Sequence, residues 1–299
     1  MVVGPGQDCA VLQTDAALWL LTIDALVAGV HFAPEWLSPR QLGRKSFLVN
    51  ASDIAAMGGQ PRFCVVNFSV PPAYRERDLR ALQQGIVAAG RECGAAVVGG
   101  NLTRATQLSI TIALLGTAPR RIVTRQGARP GDHVFVTGTL GDAALAVRSL
   151  RRGDTPVTAN LQRRFREPAP RLRAGRILAE MGIVSAMIDV SDGLVQDLGH
   201  ICTESRVGAV LRPAAVPLSP AYRKRCGSDL RLALQGGEDY ELLCTVPEGN
   251  VKMLQRQRAR LGCPITCIGT ITGGRRLRLL DAEGRTLQLD THGFDHFRT

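Results

Sequence analysis

The chain has 299 residues, 45% hydrophobic and 21% charged, a length and balance that suit two α/β-sized domains and exclude a peptide, a disulfide module or a disordered chain. Its formal net charge is +11, yet the lysines are only Lys45, Lys224 and Lys252, and arginine groups are scattered through the second half. With eight Phe, three Tyr and two Trp there is little to stack on bases, so the basic balance reads as a solvated surface that also suits anionic small substrates, and no nucleic-acid partner is expected.

In chain order, the apolar runs at Cys9–Leu12, Leu18–Ile23 and Phe63–Val70 predict strands. Helical spacing runs from Ser38 to Met57 before Gly58-Gly59, and an amphipathic stretch from Tyr74 to Cys93 stops at Gly94, where a helix end favours glycine. Val97-Val98 and Leu108–Gly116 add two strands. The pattern restarts near Ala118-Pro119-Arg120-Arg121, and Gly127–Asp132 is turn-rich, so one domain is expected over 1–118 and a second over 119–299. The second should hold a strand at His133–Thr137, a helix after Gly141-Asp142, a polar basic stretch over 151–176 and a flexible loop at Pro168-Ala-Pro170. A strand at Ala186–Val190, a helix at Leu194–Ser205 and strands at 207–211, 241–246 and 265–271 follow. The fold class is α/β (mixed α+β) in two domains.

Eight cysteines lie mostly in apolar runs without framework spacing, which predicts buried thiols and a cytoplasmic location. Cys263-x3-Cys267 with His292-x3-His296 is the one metal-like echo, and its spacing is too wide for a zinc finger. No apolar run reaches the ~18 residues that cross a bilayer, so no membrane partner is expected.

The aspartates carry more information. Asp8, Asp24 and Asp189 abut strand-like runs, where a carboxylate costs desolvation energy unless a cation compensates it. Asp53 and Asp192 lie in the compact motifs Asn50–Gly59 and Ile188–Leu194. Mg²⁺ held by carboxylates and substrate phosphates is one answer; helix N-caps and turn aspartates are the other. Gly99-Gly100-Asn101 offers backbone N–H groups to a phosphate or makes a plain turn. Gly236–Glu241 reads as a ligand loop or a strand-entry turn. His31 follows Asp24 closely enough to line the same pocket, or is a core residue. No Walker pattern, G-x-G-x-x-G or G-x-S-x-G is present.

These segments resemble the thiamine-monophosphate kinase family, within the aminoimidazole ribonucleotide synthetase-like ATP-binding superfamily. Gly6–Leu12, Asp24–Phe32, Asn50–Gly58, Gly99–Arg104, Arg125–Asp132, Val136–Asp142, Ile188–Leu194, Gly236–Leu242 and Gly293–Phe297 carry the likeness nearly end to end. The resemblance implies direct in-line transfer of the γ-phosphoryl group of ATP to thiamine monophosphate, with several Mg²⁺ ions. It places metals on Asp8, Thr22, Asp24, Asp53, Asp189 and Asp192 and at the position of Asn101, with Asp24, Asp53 and Asp192 central to catalysis. Gly100, Asn101, Arg125 and Ser191 would meet ATP, and His31, Glu238 and Phe294 the thiamine phosphate. It also implies that the N-terminal sheets of a homodimer pair into a barrel beside a C-terminal α/β sandwich.

The chain departs from the family pattern at Gln7, usually a second acid, at Ile23, usually a hydroxyl residue, at Ala25, usually Thr, and at Asn101-Leu102, usually Asp-Thr. Asn101 removes one negative charge from the implied metal site. A catalytically impaired nucleotide-binding relative, or a superfamily member with another substrate, is the alternative reading. The chain begins almost at the first motif, which a mis-set start codon and a degenerating gene would each produce.

Overall fold

Alternation along the strands sets the first half. The computed structural model describes residues 1–287 other than 5, 15–16, 119, 155–157 and 282. Its first elements are β1 (Ala10–Gln13), β2 (Leu18–Val27), α1 (Pro39–Ala56), β3 (Gln60–Val70), α2 (Glu76–Glu92), β4 (Ala96–Arg104) and β5 (Ser109–Thr117). The strands form one sheet in the order β1-β2-β5-β3-β4. Only β3 and β4 run parallel, joined through α2 as a crossover.

On β5, Ile110, Ile112 and Leu114 are buried beneath the helices while the residues between them are not, and the same period on β2 turns Leu20, Thr22 and Leu26 inward. Each such Leu or Ile contributes about 1.5–3 kcal/mol relative to exposure. Ser38 and Gln41 close a capping box ahead of α1, with Pro39 at its first position. The two helices touch backbone to backbone, since a Cβ on Gly43 would lie 1.9 Å from the Leu82 carbonyl oxygen and one on Gly85 would lie 2.1 Å from that of Arg40.

No helix covers the sheet's other face among the described residues. Register sets its rows: Leu21, Leu115 and Phe63; then Ile23, Ala113, Val65 and Gly99; then Ala25, Thr111, Asn67 and Asn101. Leu21, Ile23, Phe63 and Val65 are exposed there.

The second half contains β6 (His133–Thr137), α3 (Asp142–Arg152), α4 (Ala159–Arg166), α5 (Leu172–Met181), β7 (Ala186–Asp189), α6 (Leu194–Ser205) and β8 (Gly208–Leu211). Then come α7 (Pro220–Cys226), α8 (Arg231–Gln235), β9 (Leu242–Val246), α9 (Glu248–Gln257), β10 (Ile265–Thr272), β11 (Leu277–Leu280) and β12 (Thr286–Leu287). Its sheet runs β12-β11-β8-β10-β6-β9-β7, and only β8 and β11 are parallel. The chain is thus a mixed α/β fold with two mixed sheets.

One expectation is sharpened and one is corrected. The polar basic stretch over 151–176 holds α4 and the first half of α5, helices whose buried faces carry Leu161, Phe165, Ala174 and Ile177. Gly99-Gly100-Asn101 is not a turn but the middle of β4. The halves meet where a Cβ on Gly175 of α5 would lie 2.0 Å from the Ala55 carbonyl oxygen of α1. Among the described residues no helix is long and apolar enough to cross a membrane.

Candidate active site

Carboxylates from three elements converge. Asp8 precedes β1, Asp53 lies in the last turn of α1 and Asp189 ends β7; one oxygen of each lies within 4.8 Å of the others. Helical spacing on α1 organises them. Thr22 of β2 donates to Asp53 Oδ2 at 2.5 Å, Asn50 Oδ1 accepts the Asp24 backbone N–H at 3.1 Å, and Ser52 Oγ donates to Asp189 Oδ2 at 2.6 Å.

The charges are poorly compensated. Burial pushes the Asp53 carboxyl well above the usual carboxylate range, and the charges of Asp24, Asp189 and Asp8 push it further. Burial, then Asp8, raises Asp189 to about 8. Burial also raises Asp8, and burial with the Asp192 charge raises Asp24. Arg125 Nη2 donates to Asp8 Oδ1 at 2.9 Å, but Asp8 Oδ2 and Arg125 Nε are buried without a hydrogen-bond partner. Gln7 Oε1 accepts the Arg125 backbone N–H at 2.7 Å.

Facing this cluster, the segment 236–241 is stitched to the loop after β7. Glu238 N–H donates to the Ser191 carbonyl at 2.7 Å and Tyr240 N–H to that of Val190 at 2.8 Å. Glu238 and Tyr240 hold φ of +68° and +50°, a left-handed conformation that side chains occupy only when surroundings enforce it. Lys45, fully buried on α1, supplies part of that enforcement: its Nζ lies 2.9 Å from Glu238 Oε2 and 3.5 Å from the Phe165 ring centroid. Further along, Glu241 is buried between Arg164 and Arg171, at 2.6 and 2.5 Å. His31 Nδ1 accepts the Val27 N–H at 3.0 Å.

Both ends open into one cavity of about 850 Å³. Asp8, Thr22, Asp24, Asp53, Asp189 and Asp192 line it, as do Arg125, Ser191, His31 and Glu238. Gly100 and Asn101 do not. Gly100 is a glycine because a Cβ there would lie 2.2 Å from the Val66 carbonyl oxygen across the β3 pairing, and Asn101 Nδ2 donates to Asn67 Oδ1 at 3.0 Å on the uncovered face. Phe294, like His292 and His296, lies outside the described residues.

The capping alternative fails at both motifs. Ser52 and Asp53 sit near the end of α1. At α6 the carboxylate that collects N–H groups is Asp197, which accepts from Ser191, Asp192 and Gly193 at 3.1–3.2 Å. Sequence reasoning missed Lys45, Asn50, Ser52 and Asp197. Lys45 had one signal, as a rare lysine within an apolar helix; the others act as hydrogen-bonding supports whose partners are distant in sequence.

Comparison with known proteins agrees along the chain. The AIR synthase related protein N-terminal domain matches residues 6–118 and the C-terminal domain residues 129–282. The thiamine-monophosphate kinase of Escherichia coli (strain K12) is 37% identical across 99% of this chain and 92% of its own length; that of Salmonella typhimurium is 39% identical across the same shares. A solved structure described as AaThiL complexed with AMPPCP and TMP aligns at a TM-score of 0.86 and 30% identity, covering 98% of this chain and 91% of that one. With similarity of this order sustained through both halves, the chain belongs to the thiamine-monophosphate kinase family of AIR synthase related proteins.

Proposed function

We propose that the chain phosphorylates thiamine monophosphate with ATP. A phosphate oxygen of thiamine monophosphate attacks the γ-phosphorus in line, the bond to the β–γ bridging oxygen breaks, and thiamine diphosphate and ADP leave. The observation that carries this reading is the set of buried, under-compensated carboxylates facing Glu238 and His31 across one cavity, in a chain whose relatives bear that activity in their names.

The donor set fits Mg²⁺: hard oxygens only, raised pKa values and an orphaned Asp8 Oδ2. Asp8, Thr22, Asp24, Asp53, Asp189 and Asp192 would hold the ions, which when bound neutralise charge on the transferring phosphates. The chain's own residues bind and orient. Arg125 and Ser191 face the nucleotide, and Glu238 and His31 fix the acceptor. Because Nδ1 of His31 accepts a backbone N–H, the neutral ring carries its proton on Nε2, the nitrogen that can donate to a phosphate oxygen. The acceptor is already an anion, so no strong general base is required and positioning does most of the work.

A second copy of the chain completes the assembly in this reading. The uncovered sheet face presents Leu21, Ile23, Phe63 and Val65 beside Asn101, an apolar patch of the kind that pairs. Packed against its twin, the face closes the homodimer barrel and gives Gly100 and Asn101 a role that they lack within one chain. The eight free thiols suit a reducing cytoplasm.

The test is to incubate the protein with ATP, Mg²⁺ and thiamine monophosphate and resolve thiamine diphosphate by chromatography, with Asn101→Asp alongside. Product from the wild type is expected, and faster product from the variant, because the restored carboxylate adds a metal ligand. ATP binding without product from either chain would favour the nucleotide-binding alternative.

A further inference from the structure

One wall of the cavity has a charge that the carboxylate cluster does not explain. Ala144, Val147, Arg148, Arg151 and Arg152 of α3 follow helical spacing and all line the cavity. The stripe is graded. Ala144 stands at the inner end, where a Cβ on Gly236 would meet its own Cβ at 2.3 Å; Arg148 is half-buried, and Arg151 and Arg152 are exposed. Arg148 donates to the Cys226 thiol at 3.4 Å. Arg164, Arg171, Arg225 and Arg231 of the same half are ion-paired, whereas among the described residues none of the three α3 guanidiniums is.

The cavity is therefore bipolar, with aspartates at its floor and unpaired guanidiniums at its rim. Phosphates approaching the floor meet like charge until cations intervene. Guanidiniums at the entrance lower that barrier, because Arg binds phosphate oxygens strongly and a charged cleft focuses the field along the entry path.

We propose that Arg148, Arg151 and Arg152 form an anion-capture subsite at the cavity mouth, which takes the phosphate groups of incoming substrate before they reach the aspartates. The identity of those anions, ATP or thiamine monophosphate, rests on the kinase reading above; the capture itself does not require turnover. Trp36 lines the same cavity, so its fluorescence reports entry of either ligand.

The experiment is stopped-flow binding of ATP and, separately, of thiamine monophosphate, each with Mg²⁺, to the wild type and to Arg151→Gln/Arg152→Gln across a range of ionic strength. Both positions are exposed, so the fold should persist. The variant should associate about tenfold more slowly at low salt, with the gap closing as salt screens the rim. Arg275→Gln/Arg276→Gln, in an exposed turn away from the cavity, removes the same charge and should leave the rate unaltered. A salt-sensitive deficit for either ligand supports capture and names the anion. No deficit, one that persists at high salt, or an equal one in the remote variant would overturn it. Absence of thiamine diphosphate in the assay above would instead count against the kinase reading alone.

Discussion

At Asp189 a carboxyl whose usual pKa is 3.8 is raised to about 8, with burial as the main cause and the Asp8 charge second. A folded-state pKa above the unfolded one means that the native protein binds the extra proton, so its contribution to stability is complete below the unfolded value and is lost as pH rises through the folded one. Asp8, Asp24 and Asp53 shift in the same direction. Protein stripped with chelator should therefore lose thermal stability as pH climbs from about 4 through about 8. Mg²⁺ should restore it most at the upper end, where it replaces protons rather than competing with them. Asp189→Asn should flatten the slope in chelator and shrink the response to Mg²⁺. Differential scanning calorimetry reads both; a pH-independent melting temperature in the wild type would mean that these carboxylates are not held against their charge.

At the scale of elements, α1 positions the site. It carries Lys45, Asn50, Ser52 and Asp53, so one helix holds the segment containing Glu238, β2 and the end of β7 in register. The sheet beneath it makes its own prediction. Val65→Asp places a charge in the middle of the exposed apolar row without touching the buried face, so sedimentation should show the proposed homodimer shifted toward monomer and turnover should fall with it. An unchanged sedimentation coefficient would contradict the proposed pairing.

The same elements show what the sequence reveals. The apolar runs of β2 and β5, the helical spacing that starts at Ser38 and the glycine after α2 are local signals, and they announced their elements. In β4, Gly99-Gly100 mimicked a turn because its strand conformation comes from pairing with β3 and its glycine from a contact across that pairing. The helices within 151–176 hid behind arginines on their exposed sides. The aspartates were legible by their positions beside apolar runs, whereas supports such as Ser52 were not, since Asp189 lies 137 residues away in sequence.

At the scale of the molecule, neither half makes the cavity alone. Asp8, Asp24 and Asp53 come from the first half, and Arg125, Asp189, Ser191, Asp192 and Glu238 from the linking segment and the second half, so in the proposed function the reaction depends on their docking. That docking rests on the α1–α5 contact, the Ser52–Asp189 hydrogen bond and the Lys45–Glu238 ion pair. In the proposed function, phosphoryl transfer to thiamine monophosphate occurs at the carboxylate floor shared by both halves. The most direct measurement compares Mg²⁺-dependent thiamine diphosphate formation by the wild type and by Asp53→Asn, each shown to be folded by its melting curve. Product is expected from the wild type, and a loss of at least about a thousandfold in kcat/KM, roughly 4 kcal/mol of transition-state stabilisation, in the folded variant. Near-normal turnover by Asp53→Asn would contradict it.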